Sequence, residues 1–142
     1  MNGNTEFLNY IYQNAEMGRD TIKQLIEISK DEEYKKMLEC QLEEYKEIHN
    51  IAEKKIEELN KEAKEISSFS KISAYIMINM KTLMDKTPSH ISEMLIQGSN
   101  MGIIEITKKI NEYPNADKDI IDLANRLLKF EQNNLEKYKK YL

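Results

Sequence analysis

Glu131, Asn134, Glu105, Glu44 and His49 are the side chains whose types and spacing could do chemistry in this chain. Residues 120–142 have the period of one amphipathic helix. Wound at about 3.6 residues per turn, Ile120, Ala124, Leu127, Leu128, Leu135, Tyr138 and Leu142 form one stripe, with Glu131 near its centre. A bare carboxylate in a helical core is costly unless it is protonated, paired or bound to a cation. Asn134 stands three residues on, so both side chains project toward one point. Glu105 lies at the edge of the preceding helix's apolar sector, beside Met94, Gly98 and Met101. Folding about a turn near residue 117 brings Glu105 and Glu131 to similar heights, where two carboxylates could meet. In the second helix Gln41 lies within the inner face, Glu44 flanks one side of it and His49 the other. Carboxylates and a histidine gathered this way would suit one or two divalent metals, with an open position able to activate oxygen or peroxide.

Each of these residues also has a plainer reading. Glu131 is equally a core acid tied by hydrogen bonds to Tyr, Asn or Gln. Glu105 precedes Lys109 by four residues, the favourable order for a surface ion pair. His49 fits a boundary residue, and His90 a cap-supporting one in the first turn after Pro88. No serine or cysteine has a base in a recognisable motif. The glycine-rich phosphate loops, H-E-x-x-H and C-x-x-C are absent. Met77-x-x-Met80-x-x-x-Met84 puts thioethers on neighbouring positions of one helix. That spacing suits gap-filling, a soft protein-binding surface or, least of all, Cu(I).

The elements that must position these groups are helices. Only four glycines and two prolines interrupt 142 residues, so long periodic segments run unbroken and the fold class is all-α. A first helix is expected from residue 4 or 5 to 29, with Phe7, Leu8, Ile11, Ala15, Ile22 and Leu25 inward. Gly18 on that face implies close helix approach, and Asn14 and Thr21 also face the core. The obvious acid of this helix, Glu16, projects away from the stripe. Asp31 caps a second helix expected over residues 32–66. A short third piece is expected over 69–86. Thr87-Pro88 starts a helix over 88–113, threonine capping and proline in the first helical position. The apolar period runs through Gly98-Ser99-Asn100-Met101-Gly102, so no loop is expected there. Short turns make antiparallel neighbours. The expected architecture is one domain, an antiparallel four-helix bundle of two hairpins joined by a crossover with the short extra helix.

Composition narrows the function classes. The net charge is −4, and lysines are interleaved with acids, so no nucleic acid is expected as a partner. The most apolar stretch, residues 74–80, is far too short to span a bilayer. The opening residues have no basic start or apolar run, and Cys40 is the lone cysteine, so the expected setting is the cytoplasm, with no membrane.

The pattern resembles the ferritin-like superfamily, including rubrerythrin-like proteins. The resemblance covers the two hairpins, most of the chain, and is architectural. In that family each hairpin supplies a glutamate from one helix and Glu-x-x-His from the other. Here the second hairpin matches with Glu105 and Glu131-Gln132-Asn133-Asn134, the first with Glu16 and Glu44-Tyr45-Lys46-Glu47. Asn134 and Glu47 stand where the family has histidines, and Glu16 and Glu47 point outward on a helical count. The resemblance implies a ferritin-like bundle with an incomplete di-metal site. The expectation is a small binding or structural protein, oligomeric with copies of itself and needing no cofactor. The alternative is an iron or manganese oxidoreductase using Glu44, Glu105 and Glu131. A third reading is a partner-binding module using Met77, Met80 and Met84.

Overall fold

A computed structural model describes residues 3–59, 61, 76, 79–80 and 83–142. Four long helices stand in it: α1 (Asn4–Ile28), α2 (Glu32–Glu58), α3 (Pro88–Glu112) and α4 (Lys118–Lys139). No strand occurs among the described residues. None of the helices is long and apolar enough to cross a membrane. The pairs α1–α2 and α3–α4 are the most extensively packed, and α1 and α2 both also touch α4.

Local chemistry sets the helix ends. Asp31 accepts a hydrogen bond from the Tyr34 N–H at 2.9 Å and so starts α2 as expected. Thr87 does the same for the His90 N–H at 3.3 Å, with Pro88 next to it at the start of α3. The period through Gly98–Gly102 is helical throughout. Asn4 reaches from the start of α1 to accept the Asp117 N–H at 2.9 Å, tying the first helix to the α3–α4 turn. The core that results holds Phe7, Leu8, Ile11, Leu25, Tyr34, Leu38, Ile48, Ile56, Ile106 and Leu127, all fully buried.

Three expected boundaries are corrected. The second helix ends at Glu58 rather than residue 66. The Leu59 N–H turns back to the Lys55 and Ile56 carbonyls and the Lys61 N–H to Ile56, and these bonds close the last turn. Residues 83–86, expected in the short crossover helix, are irregular. Of that piece Ile76, Asn79 and Met80 are helical, and the rest lies outside the described residues. The last helix begins two residues earlier than expected and ends at Lys139. Leu142, assigned to the inner stripe, is 63% exposed beyond it.

Candidate functional site

Glu131 is 5% exposed, as its position on the stripe predicts. No ion pair reaches it among the described residues. Among the described residues its hydrogen bond comes from the Tyr45 hydroxyl on α2, which donates to Oε1 at 2.8 Å. Burial raises the Glu131 carboxyl to about 7, and the Tyr45 bond pulls the other way. Near neutrality this carboxyl therefore exchanges its proton.

Tyr45 can reach Glu131 because of Gly18. A Cβ at position 18 would collide with the Tyr45 ring. The close approach expected of Gly18 is thus the seat of the tyrosine that faces the buried acid. Phe130 packs edge-on against the same ring at 4.8 Å. On the other side Gly102 of α3 faces the carboxyl: a Cβ there would stand 3.9 Å from Glu131 Cδ and Oε2.

Beside this carboxyl lies a cavity of about 40 Å³, room for roughly three waters. All four helices contribute to it. Glu131, Tyr45, Asn14, Thr21 and Ser99 supply polar atoms, and Met17, Ile22, Leu95 and Ile76 supply apolar wall. Among the described residues Glu131 is the sole acid lining it, and no lysine, arginine or histidine does.

A second polar pair continues the layer. The Tyr138 hydroxyl donates to Gln41 Oε1 at 2.7 Å. Asn134 is 1% exposed, three residues from Glu131 and inward as expected. Both its amide atoms, and Gln41 Nε2, are buried without a hydrogen-bond partner among the described residues. Such orphaned amides are uncommon in a folded core.

The remaining candidates do not gather at Glu131. Glu44 is held by Arg126 of α4 in a two-pronged pair, Nε to Oε2 at 2.9 Å and Nη2 to Oε1 at 2.7 Å. Arg126 also reaches the exposed Glu47 at 3.1 Å. Glu105 is half-buried on α3, and its charge and that of Glu131 both act on the Tyr10 phenol, whose pKa burial already raises. The expected Glu105–Lys109 pair does not form. Lys109 turns instead to Glu112 at 3.4 Å and lies over the Tyr10 and Tyr113 rings. Glu16 is half-buried rather than outward, 3.8 Å from Arg19. His49 is 6% exposed rather than at a boundary and stacks on Tyr12 at 4.2 Å. Its pKa is lowered, first by burial and then by the Arg19 charge, so it is neutral at pH 7. It does not line the cavity.

Among the described residues no group of three or more His, Cys, Asp or Glu side chains stands ready to hold a metal. As arranged, these residues do not fit the carboxylate-bridged pair of metals that the resemblance implies: Glu44 is committed to Arg126, and an unpartnered amide occupies position 134. Met77 lies outside the described residues, Met80 packs half-buried against the core, and Met84 is 92% exposed.

Arg126 is the residue that sequence reasoning missed, and Tyr45, placed on the inner face of the second helix, was not singled out as the tyrosine that meets Glu131. Arg126 carried one legible signal, the one arginine of the last helix, at the edge of its inner face, in a chain whose second helix offers Glu44 and Glu47 on one side. Arg126→Ala should lower stability by about 1 kcal/mol in urea denaturation, since both partners are about a third exposed. The loss should shrink in 1 M salt, the high-salt arm in which surface pairs are screened. An equal loss at both salt levels would mean that the alkyl stem, rather than the charge, matters.

No family model, no curated protein and no solved structure matches the chain.

Proposed function

We propose that this chain is a ferritin-like helical bundle that acts as a small-ligand binding protein, without a resident iron or manganese centre. The observation that carries the reading is Glu131: a buried carboxyl with no cationic partner among the described residues, at the wall of a cavity. A carboxyl so placed, with a tyrosine hydroxyl as its hydrogen-bond partner among the described residues, leaves binding capacity unused. Polar groups converging on a partly apolar hollow are the usual makings of a ligand site. The commitment of Glu44 to Arg126 and the amide at Asn134 count against a full di-metal set.

The test is bound metal after expression in medium supplemented with iron and manganese. Far less than one atom per chain is expected. Stoichiometric iron or manganese that disappears in Glu131→Gln would overturn the reading.

One observation favours the oxidoreductase alternative. The charges of Glu105 and Glu131 both act on one phenol, Tyr10 of α1. That alternative requires Fe(II), Mn(II) or Zn(II) to raise the melting temperature in a way that Glu131→Gln abolishes. Flat melting curves with all three metals would remove it.

A further inference from the structure

We propose that the cavity beside Glu131 binds a small primary alkylammonium ion, its ammonium on the Glu131 carboxylate and its alkyl end against Met17, Ile22, Leu95 and Ile76. The inference rests on the small-ligand reading above and names the class of ligand.

The lining selects the charge. A carboxylate with no lysine, arginine or histidine among the described residues around the hollow repels anions. A divalent metal would keep an uncompensated positive charge, because Glu131 is the only acid among the described lining residues. One positive charge is what one buried carboxylate can neutralise. An ammonium also brings three N–H donors. Oxygen acceptors are at hand in Glu131, Thr21 and Ser99, and in the carbonyl of Asn14, whose amide nitrogen is turned toward the Tyr10 hydroxyl at 3.3 Å.

The other side of the hollow selects the tail. Methionine, isoleucine and leucine side chains line it, so a fully hydrated inorganic cation would leave its shell against hydrocarbon. An alkyl carbon gains from the same surface. Size follows from volume. About 40 Å³ is room for roughly three water-sized groups, which matches the three heavy atoms of ethylammonium. Gly98 and Gly102 keep that room open: a Cβ on each would stand 3.8 Å from Ile76 and 3.9 Å from Glu131. A ligand so small binds at best at roughly millimolar concentration.

The experiment compares ethylammonium chloride, ethanol and manganese(II) chloride at matched ionic strength. Binding is followed by thermal unfolding and by ligand-observed NMR, in the full chain. Ethylammonium should bind and raise the melting temperature, and ethanol, its neutral counterpart of equal size, should do so far less. Glu131→Gln should weaken ethylammonium about tenfold or more. Gly102→Ala keeps the carboxyl but puts a methyl beside it, and should weaken binding as well while the helix remains folded. If ethanol binds as well as ethylammonium, the charge assignment is wrong while the small-ligand reading stands. Manganese bound at one per chain, with no response to ethylammonium, overturns both. No binding by any of the three also overturns both.

Discussion

Glu131→Gln is expected to make the protein more stable at pH 8, by about 3 kcal/mol, and to leave its stability nearly unchanged at pH 4. In the fold the Glu131 carboxyl titrates near 7, against an ordinary value of 4.5, and burial is the cause. Below about pH 4.5 both the folded and the unfolded chain carry the proton, and the residue costs nothing. Between the two values the unfolded chain gives up its proton while the folded one keeps it. Folding then holds the proton in place, so stability falls as pH rises. Above about pH 7 both forms are ionised and the whole loss is present. Glutamine removes the titration yet still offers the Tyr45 hydroxyl an acceptor oxygen. The difference between native and variant chains isolates this one group, since every other carboxylate titrates in both. Urea denaturation followed by helical circular dichroism at pH 4, 6 and 8 measures it. Equal stabilities at pH 8 would mean that the carboxylate is either solvated or already paired with a cation. Ligand saturation should narrow the gap, because a bound ammonium supplies the missing charge to the native chain alone.

Gly18→Ala should cost about 2 kcal/mol, although alanine at an ordinary helix position gains roughly 1 kcal/mol over glycine. The new methyl meets the Tyr45 ring at van der Waals overlap. The ring has little room to yield. Phe130 packs edge-on against it at 4.8 Å, and its hydroxyl is bound to Glu131. Displacing it would strip the buried carboxyl of the donor it has among the described residues, a hydrogen bond to a charged group worth about 1.5–3 kcal/mol. The decisive comparison is a double-mutant cycle with Tyr45→Leu. In that background the same substitution should become neutral or stabilising. A stabilising Gly18→Ala in the native chain would show that the ring slides aside at no cost, and that Glu131 does not depend on it.

These two expectations separate what could be read along the chain from what could not. The helix starts at Asp31 and Thr87, the continuity through Gly98–Gly102 and the inward position of Glu131 and Asn134 were all legible. They rest on capping chemistry and on a repeat of about 3.6 residues, which are properties of one segment at a time. The role of Gly18 was half legible. A glycine on an apolar stripe announces that something comes close, and it does not say what. The end of α2 was misplaced because apolar residues recur past Glu58, while the hydrogen bonds of Leu59 and Lys61 end the helix there. The Glu105–Lys109 pair failed for another reason. The correct spacing on one helix does not prevent Lys109 from preferring Glu112 and the rings of Tyr10 and Tyr113.

The sequence alone determined that this chain is helical, which face of each helix turns inward, and that a carboxyl would be carried into the core. Only the tertiary structure decided what that carboxyl would meet. Tyr45 lies 86 residues from Glu131, and Arg126 lies 82 from the Glu44 it removes from the site. Periodicity gives the direction in which a side chain points. The partner opposite depends on the rotation and axial offset of a second helix, and those are settled by the packing of many side chains at once. The hollow beside Glu131 has the same origin, being the volume that four separately legible faces leave unfilled when they close on one another.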